Sequence, residues 1–174
     1  MTTSSAPTIP IRDLVARATR APSVHNTQPW YWCVAGERLS LFADSSRQLQ
    51  YADPDGRDLV ISCGAALHHL HVAAAAAGWK TLVRRMPNPY NDAQPANVSF
   101  PPQEPTPEAF AALNALVARR TDRGRPWSWP VPRERLDDLL ALGPAAGVTI
   151  LGVVSNRARS QLLQILAEAE QPRG

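Results

Sequence analysis

"DPDGRDLVISCGAALHHLHVAAAAAGW", Asp53 to Trp79, is the segment on which the architecture turns. From Gly56 to Ala77 the chain is apolar or alanine on nearly every face, and Gly78 stands where a helix would stop. Asp53-Pro54-Asp55 ahead of it reads as a helix start, a capping acid followed by a proline in the first turn. The predicted helix spans about 33 Å at about 1.5 Å per residue. Apolar all round, it should run through the middle of a domain. Leu59 to Trp79 is also the nearest approach to a membrane span, but it carries His68, His69 and His71, and its alanines make it a buried helix more readily than a span.

Working outward, Ile11, Leu14, Val15 and Ala18 recur at helical spacing, so a first helix ends by Pro22. "YWCV" (31–34) and "LSLFA" (39–43) read as strands joined at "AGER", a hairpin with Gly36 in its turn. "TLVRRM" (81–86) and "NVSF" (97–100) are weaker strands around a turn-rich link. Thr106-Pro107-Glu108 opens a helix with Phe110, Leu113, Leu116 and Val117 on one face, and Pro132 opens another through Leu136, Leu139 and Leu140. "VTILGVV" (148–154) is predicted as a buried strand from its β-branched run, and Leu162, Ile165, Leu166 and Ala169 mark a last helix. The order α-β-β-α-β-β-α-α-β-α predicts an α+β fold, with helices packed on a small, mostly antiparallel sheet.

A chain of 174 residues allows one domain with a real core and is short for two. With 44% hydrophobic and 19% charged residues it reads as globular, with no membrane partner. "MTTSSAPTIPIRD" at the start has no basic segment leading into an apolar core, so no secretory signal is expected. Cys33 and Cys63 stand in unlike contexts, which suits a reducing cytoplasm and no disulfide. The net charge of +3 raises the question of nucleic acid. Lys80 is the only lysine and the arginines are scattered, so no nucleic-acid partner is expected.

Two stretches have little use in ordinary secondary structure. In "APSVHNTQPW" (21–30), Pro22 and Pro29 fix the backbone around Ser23, His25, Asn26, Thr27 and Gln28. The amides of Asn26 and Gln28 both donate and accept, which suits a heterocycle edge of alternating carbonyls and N–H groups, and Trp30 offers a flat wall. The competing reading is a helix C-terminus whose Ser23 and Asn26 bond to local backbone. "RRTDR" (119–123) sets Arg119, Arg120 and Arg123 around Thr121, a donor set for phosphate oxygens or simply a solvated basic helix end. His68, His69 and His71 with Cys63 have metal-like letters but no acid or second cysteine to close a site, so no metal is expected.

"APSVHNTQPW" resembles the "APSxxNxQPW" signature of the nitroreductase-like flavoproteins, and "RRTDR" resembles their "RRSxR" element. In most such proteins the arginine element comes first; here it follows the strip by about ninety residues. That order, with the Asp53–Trp79 segment between, resembles the Acg-type subfamily, whose chains fuse two half-folds and are about twice as long. The resemblance implies a flexible N-terminus (1–9), a first nitroreductase-like half (10–104) and the beginning of a truncated second half (105–174). It implies FMN, weakly held, with Ser23, His25, Asn26, Gln28, Pro29 and Trp30 at the ring and Arg119, Arg120, Thr121 and Arg123 at the phosphate and ribityl chain. It further implies NAD(P)H as electron donor, a small-molecule acceptor such as a nitro compound or quinone, and no catalytic side chain of its own. A homodimer or a complementary second-half chain is the implied partner. Two rival readings are a flavin-sequestering protein without turnover and an inactive remnant that needs a partner chain.

Overall fold

A computed structural model of the protein describes residues 8–122, 124, 130–145 and 147–169. The expected flexible N-terminus lies mostly outside them. The chain divides into two compact units, Met1–Asp122 and Arg123–Gly174.

The first unit is an α+β layer pair. Helix α1 (Ile11–Ala18) precedes a hairpin of β1 (Trp30–Ala35) and β2 (Arg38–Ala43); then come α2 (Arg57–Ala76), β3 (Leu82–Arg85), β4 (Ala96–Ser99) and α3 (Pro107–Ala118). The strands form one antiparallel sheet in the order β1-β2-β4-β3. Ala35 pairs with Arg38 across a two-residue turn, and Gly36 takes φ 61°, a conformation that glycine accepts without steric cost. Alternation does the rest: Leu39, Leu41, Ala96 and Val98 point to the helices and are fully buried, while Ser40 and Asn97 point away. Leu14 of α1 and Leu70, Ala73 and Ala74 of α2 meet Leu39 and Val98 in the main core cluster, and Leu113 of α3 packs against it.

Helix α2 forms over almost the predicted range, but its start differs. Gly56 is the N-cap, at φ 68°, and Pro54 lies outside the first turn. The Asp53 carboxylate still caps the helix, from further back, accepting the N–H groups of Asp58 (3.1 Å) and Leu59 (2.8 Å). Such a cap contributes about 1 kcal/mol. Among the described residues α2 is the one helix long and apolar enough to cross a membrane, and half of that apolar window is buried inside the protein. The sequence predicts a helix enclosed on every face, and the structure leaves one face open. Val60 and Ile61 are 50% and 60% exposed, and Gly64 and His68 continue the same exposed stripe.

The second unit contains α4 (Arg133–Ala145) and α5 (Asn156–Ala169), the latter capped by Ser155 Oγ accepting from Ala158 N at 3.2 Å. The predicted strand at 148–154 does not form. Val148, Leu151 and Val154 are 55%, 81% and 51% exposed, and the second unit itself holds no strand among the described residues. A β-branched run marks the capacity for a strand, and pairing decides whether one exists.

Candidate functional site

The strip between α1 and β1 is strained. His25, Asn26 and Gln28 have φ of 44°, 59° and 48°, the left-handed region that costs a side-chain-bearing residue roughly 1–2 kcal/mol. Three such residues in four positions persist only because their surroundings over-determine them. The Ser23 hydroxyl accepts the Gln28 N–H (2.9 Å), Ser62 Oγ of α2 accepts the Val24 N–H (3.1 Å), and Thr27 Oγ1 donates to the Val24 carbonyl (2.9 Å). Arg47 Nη1 donates to the carbonyls of Thr27 and Gln28, and Cys63 Sγ to that of Pro29 at 3.4 Å. Burial pushes the Cys63 thiol up to about 11, so it is a packed anchor and not a nucleophile.

This framework sorts the predicted ring-edge residues. His25 and Asn26 are exposed, and their side chains make no hydrogen bond among the described residues. Gln28 is half-buried and gives one donor to the Thr19 carbonyl at 3.3 Å. Ser23 Oγ accepts from local backbone, as the competing reading expects, and keeps its proton to donate and one further lone pair. Trp30, predicted as a flat wall, is 7% exposed and sits in the core with Leu41, Leu59 and Cys63, because β1 alternation turns it toward the helices. Pro29 beside it is fully buried. His25 also lines an open cleft of about 400 Å³ with Gln48, Leu49, Gln50, Tyr51 and Ala52. That volume lies in the range of small-molecule sites.

The arginine element meets the strip. Arg119 Nη2 donates to the Arg20 carbonyl (3.1 Å), Arg20 Nη2 reaches the Val117 carbonyl (3.4 Å), and Arg119 Nη1 donates to Thr121 Oγ1 (3.1 Å). Two segments ninety-nine residues apart are thereby stapled together. Arg120 turns back on its own helix, donating to the carbonyls of Val117 (2.9 Å) and Arg119 (2.8 Å), as a basic residue at a helix C-terminus does. Neither arginine lines the His25 cleft. Arg123 lies outside the described residues.

No protein-family model matches the sequence. The chain is 42% identical over 159 residues to "Putative NAD(P)H nitroreductase Rv3131" of Mycobacterium tuberculosis (strain ATCC 25618 / H37Rv), covering 91% of this chain and 45% of that one. It is 35% identical over 153 residues to "Putative NAD(P)H nitroreductase acg" of the same strain, covering 87% of this chain and 46% of the relative. The chain is homologous to the Acg-type nitroreductase-like proteins. It spans a little under half the length of these relatives. A crystal structure of a nitroreductase family protein from Streptococcus pneumoniae TIGR4 superposes with a TM-score of 0.45 at 16% identity, over 76% of this chain and 90% of that one.

In this Acg-like chain several residues around the strip carry no sequence motif. Arg47, Ser62 and the Gln48–Ala52 segment were not singled out by spacing. The one available signal was Asp44-Ser45-Ser46-Arg47, a local polar turn in which the Asp44 carboxylate accepts the Ser46 N–H and hydroxyl and pairs with Arg47 at 3.1 Å. The histidines separate by burial. His71 Nδ1 lies 2.6 Å from Thr81 Oγ1 at the surface, and His68 is exposed. His69 is 6% exposed, and its Nδ1 has no hydrogen-bond partner among the described residues. Burial lowers its pKa, the Arg17 carbonyl opposes that shift, and Arg119, His68 and Arg20 add to it.

Because the folded value of His69 lies below its ordinary 6.5, the unfolded chain takes up a proton first as the pH falls. Its stabilising contribution is complete above that ordinary value and is lost as the pH drops through the folded one. Urea unfolding at about pH 7.5 and about pH 5.5 should show a loss at the lower pH that His69→Leu diminishes. An unchanged difference would assign the acid sensitivity elsewhere.

Proposed function

We propose that this chain carries the ring-edge part of an FMN site and acts in NAD(P)H-dependent reduction of a small acceptor such as a nitro compound or quinone. The observation that carries the reading is the strained run His25–Asn26–Gln28. Evolution tolerates such backbone strain mainly where the side chains are needed by a ligand. Homology over nine-tenths of the chain to proteins named as NAD(P)H nitroreductases supports the same reading.

In this account His25, Asn26 and Gln28 hold the ring edge, and the Ser23 hydroxyl donates its one remaining proton. Arg120, Thr121 and Arg123 serve the phosphate and ribityl end, and Arg119 braces the strip from behind through the Arg20 carbonyl. Bound FMN would supply the redox chemistry, taking a hydride from the nicotinamide and passing electrons to the acceptor. The chain's own groups bind and orient; the site needs no acid–base pair. Residues 10–104 form a first nitroreductase-like half in this reading, and 105–174 begin a second.

Arg120→Ala should weaken FMN about tenfold, at the low end for a charge-assisted contact because the site is exposed, and leave riboflavin binding little changed. Equal losses for both would remove Arg120 from the phosphate. An absorbance spectrum of the purified chain after incubation with FMN, followed by NAD(P)H addition, tests the function itself. Bound flavin that bleaches under NAD(P)H supports the reductase, bound flavin that does not bleach makes the protein a flavin store, and no bound flavin defeats both.

The exposed stripe of Val60, Ile61, Gly64 and His68 on α2 supports a homodimer or a complementary second-half chain as partner. Light scattering of the chain alone should give a dimer or larger species, and Ile61→Glu should lower the mass. A monomer at every micromolar concentration would count against self-association.

A further inference from the structure

The sheet face turned away from the helices carries a second polar site. A cleft of about 220 Å³ on that face is lined by Arg38 of β2, Leu82 and Arg84 of β3, and Asn97, Val98 and Ser99 of β4. The register brings them side by side, since Arg84 pairs with Asn97 and Leu82 with Ser99, while Asn97 pairs with Ser40 on the other side. The side chains of Arg38 and Arg84 make no ion pair or hydrogen bond among the described residues. Asn97 Oδ1 accepts from both Ser40 Oγ (2.8 Å) and Gln94 Nε2 (2.7 Å). Its amide orientation is thereby fixed, with the NH2 group left to donate. The Ser99 hydroxyl is likewise unbonded among the described residues. No carboxylate lines the cleft among the described residues; the nearest acid in sequence, Glu37, lines a neighbouring cleft that shares Arg38, Leu82 and Ser99 with it.

We propose that this cleft binds a compact oxyanion, a phosphate group either free or carried on a nucleotide. Every polar side chain lining it is a donor or is able to donate, and two are guanidinium groups, whose planar forks match phosphate oxygens. A solvated arginine pair without a ligand needs no locked amide between its strands. The site is independent of the flavin reading, because none of its residues belongs to the strip or to the arginine element.

The test is an inorganic phosphate titration of the labelled chain, followed through the Asn97 side-chain amide and the Ser99 backbone amide by NMR, with chloride at matched ionic strength as control. Both signals should shift with phosphate and not with chloride. Arg84→Ala and Arg38→Ala should each raise the dissociation constant about tenfold or more. Asn97→Asp, which preserves shape and adds a negative charge, should abolish the Ser99 shift in a chain that still melts cooperatively. Adenosine 5′-monophosphate binding about tenfold tighter than phosphate would assign the oxyanion to a nucleotide, and equal binding to the free ion. Shifts that chloride reproduces, or that survive the arginine replacements, would overturn the proposal.

Discussion

Leu70→Ala is expected to lower the free energy of unfolding by about 3–4 kcal/mol, in the upper part of the range for burying a leucine and then removing it. Leu70 is 0% exposed at the middle of α2 and shares a cluster with Leu14 of α1, Leu39 of β2 and Val98 of β4. Those neighbours belong to three different elements, two of them tied into one sheet, so they cannot all follow the missing side chain. The cavity therefore stays largely open. Domains of this size are stable by about 5–15 kcal/mol in total, and such a loss is a large share of it. Tyr90→Ala, 96% accessible in the link between β3 and β4, provides the contrast and should cost within about 0.5 kcal/mol. Urea midpoints at unchanged slope measure both. A Leu70→Ala loss below about 1 kcal/mol would mean that the cluster between α1, α2 and the sheet is not packed as described.

The second large effect concerns the strip. Glycine tolerates the left-handed backbone of His25 and Asn26 without the roughly 1–2 kcal/mol that a side chain costs there, although it adds about 0.5–1 kcal/mol of unfolded-state entropy. Neither side chain makes a hydrogen bond within the described protein. Replacing both by glycine should therefore leave stability unchanged or raise it. FMN binding should move the other way, losing about 1–3 kcal/mol for two solvent-exposed hydrogen-bonding groups, or roughly five- to 150-fold. A structural role for the two side chains predicts the opposite pairing, a less stable protein with unchanged affinity.

Most of the fold was legible because it rests on local patterns. Alternation in "LSLFA" placed Leu39 and Leu41 inward, the alanine-rich run gave α2, and Gly36 gave the hairpin. Failures came where the outcome depends on what lies elsewhere in the molecule. Residues 148–154 have strand composition but the second unit holds no strand among its described residues, and Val60 and Ile61 look like core residues but face outward. The inward register of Trp30 was not legible while the strip was read as one ligand-facing unit; β1 begins at Trp30 and its side chain packs in the core. The cap by Asp53 was legible in kind and displaced in position, since Gly56, not Asp53, is the residue at the helix boundary. In the candidate site, the chemistry of Asn26 and Gln28 was visible as letters, but their positive φ was not. Asparagine and histidine are enriched in that region and so signal it weakly, and glutamine signals it hardly at all. The staple from Arg119 to Arg20 joins two motifs read separately, and no spacing in the sequence reveals it.

The central claim is that the strained strip is kept for a ligand. An FMN fluorescence titration of the wild type and of the His25→Gly, Asn26→Gly double variant, with thermal melts of both, tests it most directly. The account predicts a melting temperature equal to or above the wild type together with a dissociation constant raised about fivefold or more. A variant that binds FMN as the wild type does, whatever its melting temperature, would contradict it.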